Sequence, residues 1–272
     1  MNLLENKFKK LKKILCQMDS LVVAFSGGTD STLLLKTAHD LLGEKVLAVT
    51  DASEIHPSRE LEMASRFAKR CGINHIIIKS GVMGNDEFLK NSPRRCYHCK
   101  KMIFKELKRI AAERGIEFVA DGSNYDDLND YRPGRLALEE LKIRSPMEEA
   151  GLKKEEIREL SRMMNLPTWN KPQIACLATR IPYGSEITSE KLKRVEMAEK
   201  FLIDNRLSQV RVRDHETVAR IEIGGGEIER FSDEHFSKMV VSKFKELGYT
   251  YVTLDLEGYR SGSMNEVIKT NG

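Results

Sequence analysis

Six consecutive residues, Ser26-Gly27-Gly28-Thr29-Asp30-Ser31, put two glycines, two serines and a carboxylate between an apolar run and a helical pattern. Glycines let a backbone turn sharply and approach an anion closely. A helix starting directly after them offers unpaired N–H groups and the positive end of its dipole. Ser26 and Ser31 add hydroxyl donors. An aspartate fits such a cradle once a magnesium ion bridges it to phosphates, so Asp30 is read as a cation ligand. The stretch lacks the Gly-Lys-Ser/Thr ending of the ordinary triphosphate loop. Without that lysine over the terminal phosphates, ordinary phosphoryl transfer is disfavoured. The alternative reading is a glycine-rich turn with a capping serine and aspartate.

Thiols supply a second chemistry. Of five cysteines, at 16, 71, 96, 99 and 176, Cys96 and Cys99 are close enough to bind one soft metal centre. Zinc would want two further ligands, and His98, lying between the cysteines, points poorly. Cys176, in a stretch with prolines at 167, 172 and 182, is the third candidate. Three thiolates can hold a [4Fe–4S] cube and leave one iron open to an extra sulfide. The alternatives are a redox dithiol for Cys96/Cys99 and a buried small side chain for Cys176. Cys16 and Cys71 sit in helical apolar patterns and are expected in the core. With no secretory leader in the first residues, the chain is expected to be cytoplasmic with reduced thiols.

The elements that must position these groups alternate. Leu21–Phe25, Val46–Thr50, His75–Ile78 and Phe118–Asp121 read as strands. Helices are expected over Asp30–Leu42, Ser58–Cys71, Lys100–Arg114 and Lys153–Asn165, with an amphipathic N-terminal helix before them. Such alternation favours a parallel sheet covered on both faces, whose ligands bind at the carboxyl ends of the strands. Ser26 onward and Asp121 onward both fall there. Beyond residue 180 the pattern changes to helix, two strands, helix, strand, a small α+β unit. Domains are therefore placed at 1–180 and 181–272. Arg211 and Arg213 alternate with Val210 and Val212, so both guanidinium groups face one side of a strand, suiting a phosphate or local ion pairs.

The loop resembles the PP-loop of the ATP pyrophosphatases. That resemblance implies a Rossmann-like α/β domain in which the loop holds the β,γ-pyrophosphate while a substrate atom attacks the α-phosphorus. It places ATP on Ser26, Gly27, Gly28, Asp30 and Ser31, with adenosine contacts near Asp51 and Ser53 and a further contact at Asp121 and Gly122. The likeness narrows to PP-loop sulfurtransferases of nickel-pincer nucleotide cofactor biosynthesis. It runs through SGGTDSTLLLK at 26–36, RCYHCK at 95–100, DGSNYDDLNDYRPG at 121–134, RSPMEEAGLKKEEIRELS at 144–161, KPQIACLATRIPYG at 171–184 and GYRSGSMNE at 258–266. It implies adenylation of a carboxylate of pyridinium-3,5-biscarboxylic acid mononucleotide by Mg·ATP, then thiolation. Cys176 and Asp30 are the implied catalytic residues, and Cys96, Cys99 and Cys176 the implied ligands of a [4Fe–4S] cluster. Cys176 could instead surrender its own sulfur. Substrate contacts are expected at Arg211, Arg213 and Arg260, with Arg180 as a clamp on the acyl-adenylate. Glu199 and Glu222 match carboxylates near a metal in that family. The further aspartate is replaced here by Arg230 or Phe231, so that metal is not expected. Trp169 is open to stacking or packing roles. The family also implies a homo-oligomer, trimer or hexamer, an external sulfur source and a downstream nickel-inserting protein.

Composition bounds these readings. The 272 residues are 40% apolar and 32% charged with net charge +4, and no apolar run approaches a membrane span. Residues 181–272 carry net −2 and the first 180 carry +6, so neither part is a polyanion-wrapping arm. A small nucleotide is expected rather than RNA, although a PP-loop tRNA thiolase shares loop and cluster. A nucleotide-binding sensor is disfavoured by the intact Asp30.

Overall fold

The computed structural model describes residues 3–129, 133–172, 175–260 and 262–266. Asp130 to Arg132, Gln173, Ile174 and Ser261, parts of the motifs above, lie outside the described residues. In chain order the elements begin with α1 (Leu3–Cys16), β1 (Leu21–Ala24), α2 (Thr29–Leu42), β2 (Val46–Asp51), α3 (Ser58–Arg70) and β3 (Asn74–Ile78). They continue with α4 (Asp86–Leu89), α5 (Arg95–Glu113), β4 (Phe118–Ala120), α6 (Gly134–Glu140), α7 (Pro146–Glu149) and α8 (Lys154–Met163). The last are α9 (Ser189–Asp204), β5 (Val210–His215), β6 (Val218–Ile223), α10 (Glu234–Glu246) and β7 (Tyr251–Leu254). Among the described residues no helix is long and apolar enough to cross a membrane.

The chain divides into two compact units, residues 1–85 with 94–174, and residues 86–93 with 175–272. In the first, period-two alternation along the strands builds a core on each face of the sheet. Leu21 and Val23 join Leu11, Leu34, Phe67 and Ile157 of α1, α2, α3 and α8. Val22, Leu47 and Val49 face the other way, onto Phe104, Leu107 and Leu138 of α5 and α6. The four strands are parallel in the order β3-β2-β1-β4. Chain direction across the sheet therefore reverses between β1 and β4, and a crevice outside the carboxyl ends of these two strands is where such sheets take ligands. The loops after β1 and β4 are the two motif-bearing stretches. This is the expected Rossmann-like α/β fold.

The second unit pairs β5 with β6 antiparallel and β6 with β7 parallel. Val210, Val212 and Ile221 pack with Leu202, Val240 and Phe244 of α9 and α10. Its boundary falls at 174/175, not at 180, and it also takes in residues 86–93. The cause is Asn91, fully buried, whose side-chain amide donates to the carbonyls of Ile181, Pro182 and Ser185 at 3.2, 2.7 and 2.9 Å. A short segment 90 residues upstream thus seats the loop that follows Arg180.

Two expectations need correction. Cys16 is exposed, because α1 buries the stripe of Leu11 and Leu15 and the next residue turns about 100° away from it. Helix α5 starts at Arg95, five residues before the expected Lys100, so Cys96 and Cys99 lie within its first turns. Cys71 is partly buried against the first core, as expected.

Candidate active site

The loop after β1 is shaped by its glycines. Gly27 has φ +70°, and a Cβ there would stand 3.2 Å from the Ala64 Cβ of α3. The Ser26 and Ser31 hydroxyls are 3.1 Å apart, and among the described residues no side chain caps the start of α2. The first amide groups of α2 are therefore directed at whatever occupies the loop. Lys171, almost buried, braces it from behind by donating to the Gly27 carbonyl at 3.0 Å and to Glu60 at 2.6 Å. Thr29 is also occupied within the fold, its hydroxyl donating to the Thr168 carbonyl at 2.7 Å.

Gly122 brings the loop after β4 against this cradle. A Cβ at Gly122 would stand 3.1 Å from the Ser31 amide nitrogen and 3.3 Å from its Cα. Both are backbone atoms of a helix start, which has little freedom to yield. Gly122→Ala is expected to cost about 1–3 kcal/mol of stability and to weaken ATP binding, checked by urea unfolding and by nucleotide titration. Asn124, two residues on, donates to Asp30 Oδ1 at 3.4 Å. Asp121 is spent on the fold. Its oxygens accept from the Ser145 hydroxyl at 2.7 Å, the Ser123 hydroxyl at 2.6 Å and Lys100 Nζ at 3.3 Å.

Asp30 carries one partner that sequence reasoning missed. Lys154, the first residue of α8, forms an ion pair with Asp30 Oδ2. A lysine in the first turn of a helix opposes the helix dipole. Lys153-Lys154 at a helix start was thus a visible anomaly that could have flagged the site. A lysine absent from the loop thus stands beside it on another helix.

At the end of β2, Asp51 accepts from the Ser53 hydroxyl at 2.7 Å and the Ser80 amide at 2.9 Å, with His56 3.6 Å away. Burial pushes the Asp51 carboxyl up, but His56, the Ser80 amide and the Ser53 hydroxyl outweigh it and hold the group below the ordinary carboxylate range. A depressed folded value makes the contribution complete above the unfolded pKa of about 3.9. It is lost as pH falls through the folded value. Asp51→Asn is therefore expected to cost about 1–3 kcal/mol near neutrality. That deficit should shrink as the pH falls below about 4, measured by urea unfolding at both pH values.

Cys96 and Cys99 stand one turn apart on one side of α5, roughly 5–6 Å between Cβ atoms. Two thiolates so placed fit two ligands of a soft cluster. Cys176 belongs to the second unit. Among the described residues no group of three or more His, Cys, Asp or Glu gathers as a metal set.

In the second unit, Arg211 and Arg213 lie on one face of β5 and both are buried. Arg213 donates to Glu222 at 2.6 Å, to the Ser263 hydroxyl at 2.9 Å and to the Thr179 carbonyl at 3.1 Å, while its buried Nε has no partner among the described residues. Arg211 lies over the Tyr259 ring at 5.2 Å. Burial and the neighbouring charge of Arg180 pull its guanidinium below the ordinary arginine range. Arg260 is committed to Glu257 at 2.9 Å and Glu266 at 3.4 Å, with Asp255 at 3.7 Å. Arg180, expected as a ligand clamp, is wholly enclosed. Its Nε and Nη2 meet Glu199 at 2.8 and 3.0 Å, and its Nη1 meets carbonyls of the Cys176 turn. Taking a guanidinium out of water costs several kcal/mol, so such complete pairing is what allows it. Glu199 and Glu222 are both engaged by arginines. Trp169 is 42% exposed, which argues against a core-packing role.

A glycine-rich turn between a parallel strand and an uncapped helix, facing a second loop across a strand-order switch, defines a PP-loop nucleotide-binding enzyme. The family described as queuosine biosynthesis protein QueC matches residues 20–92, the part that holds the loop. Over 97% of this chain and 96% of its own length, a pyridinium-3,5-bisthiocarboxylic acid mononucleotide synthase of Lactiplantibacillus plantarum is 38% identical. An uncharacterized protein of Synechocystis is 42% identical over 98% of this chain and 99% of its own. Another, of Methanocaldococcus jannaschii, is 34% identical over 96% and 95%. The chain belongs to the PP-loop ATP-dependent sulfurtransferase family that includes the L. plantarum enzyme.

Proposed function

We propose that the chain activates a carboxylate of pyridinium-3,5-biscarboxylic acid mononucleotide with Mg·ATP and replaces the activated oxygen by sulfur. The observation that carries this reading is the likeness, along nearly the whole of both chains, to an enzyme named for the bisthiocarboxylic product. A carboxylate oxygen bonds to the α-phosphorus as the bond to pyrophosphate breaks. Sulfur then bonds to the acyl carbon as the C–O bond breaks, and AMP leaves with that oxygen.

Such a reaction asks the protein mainly for positioning and charge neutralisation. Ser26, the Gly27-Gly28 turn and the first amides of α2 bind the leaving pyrophosphate. Lys154 exchanges its Asp30 partner for the phosphates, which frees Asp30 to hold the magnesium of Mg·ATP. Asp51 and Ser53 shape the wall for adenosine, and Asp121 and Gly122 fix the facing loop. Arg211 and Arg213 take the phosphate of the substrate, with Arg260 closing the site. Around β5, Arg180 pairs with Glu199, Arg213 with Glu222, and Arg220 with Glu222 and Asp255. The lowered Arg211 and the buried Arg213 Nε, which has no partner among the described residues, favour an incoming anion.

Cys176 marks where the sulfur arrives. With Cys96 and Cys99 it would hold a [4Fe–4S] cluster, which when bound supplies sulfide for repeated transfers. The cysteine pair on α5 favours this over surrender of the Cys176 sulfur, in which Cα loses its proton, the Cβ–S bond breaks and dehydroalanine remains. The thiolated nucleotide would pass to a nickel-inserting protein.

Incubating anaerobically purified protein with ATP, the nucleotide and added sulfide should yield AMP, pyrophosphate and a thiolated product, several per chain, with about four iron and labile sulfide atoms bound. No iron, one product per chain and a Cys176 peptide lighter by hydrogen sulfide would overturn the cluster. Absence of any thiolated nucleotide would overturn the function.

A further inference from the structure

The turn that carries Cys176 is tied down from several directions. The Cys176 carbonyl accepts from the Thr179 amide at 3.0 Å, the Thr179 hydroxyl at 2.7 Å and Arg180 Nη1 at 3.2 Å. Arg180 Nη1 also donates to the Ala175 carbonyl at 3.0 Å. The opposite edge of the same guanidinium is locked on Glu199, whose Oε1 accepts the Val212 amide at 3.0 Å as well. Val212 lies between Arg211 and Arg213, and Arg213 reaches back to the Thr179 carbonyl at 3.1 Å. One buried carboxylate and two guanidinium groups thus join the cysteine turn to β5.

We infer that Arg180 and Glu199 are a positioning pair that sets the Cys176 turn in register with the strand carrying Arg211 and Arg213. The inference rests on the sulfur-transfer reading above and assigns Arg180 to the sulfur-bearing turn, not to the acyl-adenylate. Every nitrogen of its terminal group meets an acceptor of the chain and the side chain is wholly enclosed, so it presents nothing to a ligand. A carboxylate is needed at 199, because only two acceptor oxygens can serve both guanidinium nitrogens and the Val212 amide. Glutamine at 199 would turn an NH2 group toward one of those donors. The pair acts on geometry. A misplacement of about 1 Å costs transfer on the order of 100-fold.

The test compares the parent with Glu199→Gln and Thr179→Val, measuring pyrophosphate and thiolated nucleotide together under single-turnover conditions. Pyrophosphate release is expected to stay near the parent's rate, while thiolated product per pyrophosphate falls about tenfold in Thr179→Val and about 100-fold in Glu199→Gln. The abandoned adenylate hydrolyses to carboxylate and AMP. A general loss of folded protein lowers both quantities and leaves their ratio alone. An unchanged ratio therefore overturns the inference. Should the parent release no pyrophosphate with the nucleotide, the functional reading fails first. The positioning claim then stands on alkylation of Cys176 by iodoacetamide in the intact, nucleotide-free chain. That rate should change by about threefold or more in Glu199→Gln, with Cys16 constant as the exposed control. A constant Cys176 rate overturns it.

Discussion

Changing Cys176 to serine should eliminate thiolated nucleotide altogether, the largest effect expected anywhere in the chain. A hydroxyl has nearly the same size, and Thr179 and Arg180 hold the turn through the backbone carbonyl of residue 176, so the turn persists. Serine cannot surrender sulfur, and its hydroxyl is a poor ligand for the soft iron of a cluster. Both routes to sulfur close at once. The measurement is product mass after incubation with ATP and the pyridinium nucleotide. Thiolated product at even a tenth of the parent yield would place the sulfur elsewhere, with Cys96 and Cys99 the next residues to change.

The second large effect is expected at Lys154. Its ammonium group faces Asp30 across the cradle and forms an ion pair with that carboxylate. Replacing it by methionine keeps the aliphatic stem and removes the charge that would neutralise the phosphates. Pyrophosphate release should fall by about 10²–10³-fold, the usual cost of losing one preorganised donor at a site of developing charge. The thiolation-to-pyrophosphate ratio should stay constant, opposite to the pattern expected for Glu199→Gln. A fall of less than threefold would mean that Lys154 serves only to hold Asp30 in place.

The first unit was largely legible in the sequence because its signals are local. An apolar run, a glycine pair and a helical pattern follow one another directly, so strand, loop and helix around residue 26 can be read in order. Arg211 and Arg213 were legible for a similar reason, since strand alternation fixes their shared face. What escaped was long-range. Lys154 reaches Asp30 from 124 residues away, and Asn91 seats residues 181–185 from 90 away. No local pattern carries either contact. Cys96 and Cys99 were found by spacing, but the helix that carries them starts at Arg95, five residues before the expected Lys100, and helical geometry puts them on one face. Arg180 and Glu199 show the other limit. Sequence marks a charged residue near a cysteine, and only burial tells whether its charge faces a ligand or is consumed by a partner.

An acyl-adenylate makes one sharp demand on atoms: the oxygen that leaves the carboxylate must end up in AMP. Supplying the pyridinium nucleotide with both carboxylates labelled with oxygen-18, and weighing the AMP released alongside thiolated product, tests this most directly. AMP heavier by one oxygen-18 is the predicted result. Unlabelled AMP formed together with thiolated product would show that the carboxylate never attacked the α-phosphorus, and would contradict the proposed chemistry at its first step.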